Sequence, residues 1–161
     1  MPPFFSDERC VPLNDTRSNY ALADKILFAR LNIMPSQVYR MAGESSVPQA
    51  AASEYEQRLR FATKTLSSSQ PSLELILLGL GEDGHTASFF PGAPILRDHQ
   101  RLIAATQSPK EPPIRPTMTL GVINLASVIL FLVAGAGKAI LDPKTEAERQ
   151  LPAALVEPEE G

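Results

Sequence analysis

The stretch LELILLGLGEDGHTASFFPG, residues 73–92, decides the fold of this chain. Its first part, residues 73–80, is apolar except at Glu74 and has the length and flanks of a strand buried on both faces. Glycines follow, at which the backbone can make turns that residues with a Cβ resist. Asp83 and His85 lie in this turn. Because ligands of open α/β sheets bind at the carboxyl ends of strands, the pattern predicts a site here.

Charged side chains also follow two other predicted strands. Asp7, Glu8 and Arg9 come after an apolar pair near the amino terminus, and Lys138 follows the apolar strand predicted over residues 128–134. Carboxyl ends of parallel strands meet at one edge of a sheet, so we expect these groups to converge on the first site. A combination of carboxylates, one imidazole and cations suits a small anionic substrate.

The spacing of apolar residues between the strands predicts a layered α/β sheet, parallel in large part. One helix is predicted to end near residue 31, with Leu27 and Leu31 on its buried stripe, and a second to span residues 48–66. The smaller predicted elements are strands at 37–41 and 102–106, a proline-rich loop at 107–116, an extended segment at 117–120, a helix near 122–126 and an edge element at 151–156.

The composition excludes several classes of protein. A length of 161 residues predicts a single domain, residues 1–161, and a net charge of −3 argues against a general nucleic-acid binder. No run approaches the about 20 apolar residues of a membrane helix. The amino terminus does not follow the order of a signal peptide, so the expected location is cytoplasmic. Cys10 is the only cysteine and there are 2 histidines, which argues against a disulfide framework and a zinc site.

Residues 79–84 satisfy the dinucleotide-binding pattern G-x-G-x-x-G, but we disfavour that interpretation. The pattern needs a pyrophosphate at a helix N-terminus. Here Glu82 and Asp83 would repel a phosphate at the same turn, and Pro91 would end any following helix early.

Plainer interpretations exist for each charged group. His85 is equally consistent with a hydrogen-bonded histidine that holds the loop and with a general base oriented by Asp83, because spacing alone does not bring the two together. Residues 7–9 match a solvated turn, and Lys138 alone matches a surface lysine. Covalent nucleophilic catalysis is disfavoured, because there is no G-x-S-x-G elbow and Cys10 has no evident partner.

Several blocks nevertheless resemble one family, the 6-phosphogluconolactonases of the glucosamine/galactosamine-6-phosphate isomerase superfamily. In chain order they are SDERCVP (6–12), LGLGEDGHTASFFPG (78–92), Arg115 with the threonines after it, FLVAGAGKA (131–139) and LPAALVEP (151–158). The resemblance implies a Rossmann-like, three-layer α/β fold with a mostly parallel sheet and helices on both faces.

The resemblance also implies a reaction. The family hydrolyses 6-phosphoglucono-δ-lactone to 6-phosphogluconate, in the oxidative pentose phosphate pathway, without a metal or an organic cofactor. By the resemblance, His85 is the general base that activates water, Asp83 orients its ring, and Arg9 supplies positive charge near the reacting carbonyl or the phosphate. Lys138 and Arg115 are expected to bind the phosphate. The expected substrate contacts also include Asp7, Glu8 and Gly84.

One comparison supports this expectation, and one departure qualifies it. Glucosamine-6-phosphate deaminases share the G-x-D-G-H element but continue to a further acid, which residues 86–92 lack, so the lactonase is favoured. The family's glycine- and serine-rich phosphate loop, and its last strand and helix, have no counterpart here. We therefore expect a family member incomplete at both termini, whose partner is a phosphosugar lactone and which is a monomer. The alternative from another class is a non-catalytic remnant that binds sugar phosphates.

Overall fold

The computed structural model of the chain describes residues 2–64, 71–134 and 145–158. The central strand is β1, Leu75–Gly79, which pairs in parallel with β4, Val128–Leu132. Leu75 lies opposite Val128, and the register continues to the last residue of each strand. Both apolar strands predicted from the sequence are therefore confirmed, with slightly shorter bounds.

A second pair of strands forms an antiparallel hairpin. It consists of β2, Ile103–Gln107, and β3, Ile114–Met118. The loop predicted at 107–116 was therefore too long, because Pro116 lies within β3. Proline has no N–H to donate, but the carbonyl of Pro116 still takes part in the strand, since it accepts a hydrogen bond from Glu8 N at 3.0 Å. Residues 6–8 thus lie antiparallel against the outer edge of β3.

The first helix is shorter and less regular than its sequence suggests. It comprises α1, Asn19–Ala23, followed by a π-helical turn, Asp24–Phe28, in which Ala29 N donates to Asp24 O. The predicted buried stripe is wrong at its end: Phe28 is buried, whereas Leu27 and Leu31 are exposed. The wider turn rotates the later side chains away from the positions expected for α-helical spacing.

The longest helix is α2, Pro48–Ala62, which packs against the hairpin β2–β3. Tyr55 and Leu59 face the core, as the spacing predicts. Two further short α-helices are α3, Leu120–Asn124, and α4, Glu146–Arg149, and single 3₁₀ turns cover Pro35–Gln37 and Pro94–Arg97. The buried side chains form one cluster, which includes Met41, Tyr55, Leu59, Ile76, Leu78, Phe89, Ile103, Met118 and Ile123.

Two other predicted elements are not strands of a sheet. The segment at 37–41 makes one parallel bridge, between Tyr39 and Phe4. The edge element predicted at 151–156 is wrong, because a single turn of 3₁₀ helix, Pro152–Leu155, occupies that position. Proline near the start of a helical turn sacrifices no hydrogen bond, since the first N–H groups have no partner there.

The parallel pair β1–β4 is buried on one face and not on both. Ile76 and Leu78 are buried, whereas Leu75 and Leu77 are 51% and 53% exposed, and Leu130 on β4 is 47% exposed. The prediction of burial on both faces is therefore wrong for the part of the chain that the structure describes. A run of apolar residues has no alternation from which one exposed face can be read.

The α/β class itself is confirmed: the described residues contain one parallel pair, one antiparallel hairpin and α2 packed against the hairpin. Among the described residues, none of the helices has the length and hydropathy of a membrane-spanning segment.

Candidate active site

The loop after β1 folds back on itself and presents two titratable side chains. Gly81 N donates to His85 O at 2.8 Å, and Gly84 N donates to Gly81 O at 3.1 Å. Gly84 has a φ of +76°, which favours glycine. Gly81 is required for a different reason, since a Cβ there would overlap the imidazole of His85. The glycines thus allow a tight loop, as the sequence indicated.

Asp83 and His85 are in contact. Oδ1 of Asp83 makes a short contact with Nδ1 of the His85 ring, whose side chain is mostly buried. With the proton on Nδ1, donated to this carboxylate, Nε2 keeps its lone pair and has the form that a general base requires. The structure thus brings together the pair that spacing alone could not.

A lysine that sequence reasoning missed also contacts Asp83. Nζ of Lys110 lies 3.1 Å from Oδ2, so each carboxylate oxygen has its own cationic or imidazole partner. Partial burial acts to raise the pKa of Asp83, but the hydrogen bonds from His85 and Lys110 outweigh it, and the pKa falls from 3.8 to about 2. Lys110 lies in the turn of the β2–β3 hairpin, which the sequence did not predict. No local signal links it to Asp83.

A buried aromatic ring supports the imidazole. Phe90 stacks on His85 with 4.7 Å between ring centroids and an interplanar angle of 25°. The guanidinium of Arg115 lies 5.4 Å from the centroid of the Phe90 ring, and Nζ of Lys110 lies 6.0 Å from that centroid. These contacts fix the plane of the catalytic candidate and gather positive charge around it.

Arg115 lies on β3 and is buried, with Nε donating to Pro112 O at 3.4 Å. Burial lowers the pKa of its guanidinium, the charge of Arg9 lowers it further, and Asp7 acts in the opposite direction. Two guanidiniums that repel each other across one cleft create a position at which an anion is favoured.

Arg9 has a buried donor without a partner among the described residues. Its Nη1 donates to Arg17 O at 3.0 Å and to the side chain of Asn19. Its Nε is buried and, within the described residues, has no hydrogen-bond partner. A buried donor left unpaired costs about 1–3 kcal/mol, so this atom indicates a place for an acceptor oxygen from a ligand.

Asp7 is held at the wall of the cleft. Its Oδ2 accepts from Ser88 Oγ at 2.6 Å and its Oδ1 from Asn19 Nδ2 at 3.1 Å. These bonds join the amino-terminal segment to the loop after β1 and to the start of α1. Ser88 and Asn19 therefore hold Asp7 in place, a role that the sequence did not predict because the contacts join separate segments, 81 and 12 residues from Asp7.

Glu8 has a different role from the substrate contact expected of it. Its carboxylate is buried and accepts hydrogen bonds from Ser18 Oγ at 3.0 Å and from three backbone N–H groups, those of Arg9, Asn19 and Tyr20, at 2.7–2.8 Å. A carboxylate at a helix N-terminus satisfies N–H groups that lack partners in the helix. The geometry assigns Glu8 to anchoring α1, and we do not include it among the substrate contacts.

Some of the residues predicted for the site therefore line one cleft, and the others lie outside it. The cleft has a volume of about 330 Å³, and its lining includes Asp7, Arg9, Asn19, His85, Thr86 and Arg115. Gly84 lies behind it, with its carbonyl accepting from Ala153 N and its Cα facing Leu151. Lys138 lies outside the described residues. A larger cavity of about 580 Å³, between residues 2–7 and β1, lacks His85 and both arginines, so the chemistry belongs to the smaller cleft.

Metal ligands are not grouped at this cleft. Within residues 2–64, 71–134 and 145–158, no three His, Cys, Asp or Glu side chains are placed to hold one ion. The polar groups of the cleft are guanidinium N–H groups, one imidazole and one carboxylate, a set that suits an anionic organic ligand better than a cation.

The fold and the cleft define an α/β protein with a His–Asp pair at a strand end, facing two arginines. The chain belongs to the family of glucosamine-6-phosphate isomerases and 6-phosphogluconolactonases, whose model matches residues 3–161. It is 41% identical to the human 6-phosphogluconolactonase over 98% of this chain and 61% of that protein. The chain thus spans about three fifths of the length of this relative.

Solved structures agree with the family assignment. The crystal structure of the devB protein matches 97% of this chain and 66% of its own, with a TM-score of 0.85 and 37% identity. The 6-phosphogluconolactonase of Thermotoga maritima matches 97% of this chain and 67% of its own, with a TM-score of 0.80 and 30% identity. The resemblance inferred from the sequence blocks is confirmed.

Proposed function

We propose that this chain carries the active site of a 6-phosphogluconolactonase, which hydrolyses 6-phosphoglucono-δ-lactone to 6-phosphogluconate. The observation that supports it most is the His85–Asp83 pair opening onto a cleft with two guanidiniums. The names of the relatives support the same reaction. A phosphorylated lactone needs a base for water, stabilisation of an oxyanion and cations for its phosphate, and the cleft contains groups of each kind.

The first step is attack by water. Nε2 of His85 accepts a proton from a water molecule as its oxygen bonds to the lactone carbonyl carbon. The developing imidazolium is stabilised by Asp83, which also keeps the ring in the Nδ1–H form. The carbonyl oxygen becomes an oxyanion, and preorganised donors aimed at this atom contribute the largest share of many rate enhancements.

The second step is ring opening. The bond between the carbonyl carbon and the ring oxygen breaks, and His85 returns its proton to that oxygen as it leaves. The product is a carboxylic acid, which ionises to the carboxylate in water. One histidine therefore acts as base and then as acid, with no net change in its protonation across the cycle.

The arginines have separate parts in this proposal. The guanidinium of Arg9, which lines the cleft, is the donor proposed for an anionic oxygen of the substrate. Arg115, beside Phe90 and facing the same cleft, adds a charge that favours the phosphate. Lys138, which the resemblance also assigns to the phosphate, is proposed on the sequence alone.

The test is lactone hydrolysis measured against the spontaneous reaction. Wild type should exceed the spontaneous rate, and His85→Ala should lose about 100-fold or more, as expected for loss of a general base. The matched control is His99→Gln, which changes the other histidine, exposed and outside the cleft, and should retain full activity. A wild-type chain that folds but gives no turnover would contradict the proposal.

Binding separates the enzyme from its main alternative. If 6-phosphogluconate binds in calorimetry while the lactone is not turned over, the chain is a sugar-phosphate-binding protein, as the unpaired Arg9 donor alone would allow. Ammonia release from glucosamine 6-phosphate would instead indicate a deaminase.

Location and assembly stay predictions. Relatives from rice are named as chloroplastic, so the cytoplasmic location needs its own test by fractionation. The monomeric state is checked by light scattering after size-exclusion chromatography.

A further inference from the structure

The Asp83 carboxylate is shared between two partners on different parts of the chain. Oδ1 contacts Nδ1 of His85 within the loop after β1, and Oδ2 lies 3.1 Å from Nζ of Lys110 in the hairpin turn. The Lys110 side chain is about half exposed, at 51%. An ordinary ion pair at such exposure contributes little to stability. This ion pair matters because Asp83, the carboxylate that Lys110 contacts, is also the partner of the His85 ring.

The two contacts together fix the orientation of the carboxylate. A carboxylate with a partner on one oxygen can rotate about the bond to its Cβ, whereas one held at both oxygens has a single orientation. His85 N also approaches Oδ1, at 3.4 Å, but it contacts the same oxygen as the ring and does not restrain Oδ2. Lys110 is thus the partner of Oδ2 among the described residues.

We propose that Lys110 is a positioning residue that holds Asp83 against Nδ1 of His85 and so keeps the imidazole in the Nδ1–H tautomer. Without the lysine, Asp83 is free to rotate toward solvent. The Nδ1–H tautomer of His85 then loses the hydrogen bond that stabilises it, and the fraction of molecules with an unprotonated Nε2 falls. For catalysis this inference rests on the proposed function, but the tautomer itself does not.

The other groups around the ring do not replace this contact. Phe90 stacks on the imidazole and fixes its plane, but it has no atom that selects a tautomer. The charges that face the cleft from other elements are Arg9, Arg115 and Asp7. Within the part of the chain that the structure describes, Asp83 forms ion pairs with His85 and Lys110 and with none of these three groups.

The direct test is the tautomer of His85, read from the ¹⁵N chemical shifts of its ring at a pH at which the ring is neutral. Wild type should show a protonated Nδ1. Lys110→Met should shift the two ring nitrogens toward the Nε2–H form, and Lys110→Arg should restore the wild-type shifts. The ring of His99, in the same spectrum, should not change. Asp83→Asn is the positive control, since an amide can donate to Nδ1 and force the other tautomer.

Kinetics provide the second readout. Lys110→Met should lower kcat about two- to fivefold with KM nearly unchanged, the range expected for loss of a half-exposed ion pair, and Lys110→Arg should recover most of the loss. Lys25→Met, an exposed lysine on the π-helical turn, is the matched control and should leave both constants unchanged.

The outcomes separate this inference from the proposed function. If Lys110→Met leaves the ring shifts of His85 unchanged while Asp83→Asn alters them, Lys110 is an ordinary surface lysine and the inference is wrong. If the shifts change but wild type hydrolyses no lactone, the positioning role stands and the proposed function fails. If KM rises instead of kcat falling, and the shifts stay the same, Lys110 contacts the substrate and the inference is also wrong.

Discussion

Gly81 and His85 occupy adjoining space: a Cβ atom added to Gly81 would overlap Nδ1 and Cε1 of the imidazole. The same atom would lie 2.7 Å from Oδ1 of Asp83. The backbone of Gly81 also receives the loop, with its N–H donating to His85 O. One methyl group at this position therefore disturbs the two side chains of the proposed catalytic pair together.

We expect Gly81→Ala to lower kcat/KM by about 100-fold, because displacement of a reacting group by about 1 Å costs that much. The loss of activity should exceed the change in folding, because the three atoms nearest to the added Cβ belong to side chains, which can move, and none belongs to the backbone. Lactone hydrolysis and thermal unfolding of the same preparation check this. Full activity in a folded Gly81→Ala protein would show that the ring is not held where the structure has it.

Arg9→Met should separate activity from stability. Removing the guanidinium takes away a donor proposed for the substrate, and single donors of this kind contribute about 100- to 1000-fold to kcat. It removes a buried N–H that has no partner, which favours folding, and also the Nη1 hydrogen bonds to Arg17 O and Asn19, which opposes it, so the free energy of unfolding should fall by no more than about 1.5 kcal/mol. Hydrolysis rates and urea unfolding are the measurements. A stability loss as large as the activity loss would indicate a structural role for Arg9.

Glu8→Gln should be destabilising, by about 2–4 kcal/mol. Each carboxylate oxygen accepts two hydrogen bonds, so an amide NH₂ in place of either would face two donors. Glu54→Gln, on the exposed side of α2, should change the free energy of unfolding by no more than about 0.5 kcal/mol. Equal urea midpoints for the two variants would contradict the anchoring role of Glu8.

The contribution of Asp83 to stability should depend on pH. Its pKa in the folded chain is about 2, below the value of 3.8 for an unperturbed carboxyl. A lowered folded pKa means that the stabilisation is complete above the unfolded pKa and is lost as pH falls through about 4 toward about 2. The difference in unfolding free energy between wild type and Asp83→Asn should shrink across that range. The change in this difference should be less than about 1 kcal/mol, since the Asp83 side chain is 35% exposed.

Neighbouring residues of β1 should respond very differently to substitution. Leu78→Ala should cost about 2–5 kcal/mol, because Leu78 is buried in the core. Leu77→Lys should cost little, because Leu77 lies on the exposed face of the same strand. That face should also bind an apolar fluorescent dye, and Leu77→Lys should reduce the signal. Equal destabilisation by the two substitutions would mean that the face is covered in solution.

The sequence predicted the centre of the site because its signals are local. Asp83 and His85 follow an apolar strand within a glycine-rich turn; the strand is as that pattern predicts, whereas the contact between the two side chains is one that the spacing left open. Arg9 and Arg115 were indicated by the resemblance, and both line the cleft. The expected α/β class followed from the same alternation of apolar runs and helical spacing.

The remaining features depend on contacts between distant segments. Lys110 was missed because the proline-rich stretch was predicted as a loop, whereas it forms the hairpin that places Lys110 beside Asp83. The role of Glu8 was missed because Arg9, its neighbour, faces the cleft while Glu8 faces a helix end. The exposure of Leu27 depends on a π-helical turn, which leaves no mark in the spacing of apolar residues.

The bond between Asp7 and Ser88 joins positions 81 residues apart, and Thr117 Oγ1 donates to Ser6 O across 111. Contacts this far apart form only after long loops have closed, and closing those loops costs entropy before the contacts can repay it. The cleft should therefore be among the last parts of the molecule to assemble during refolding. During refolding, the spectroscopic signal of the helices should return before lactone hydrolysis does. The delay between the two would measure how late the amino-terminal segment docks.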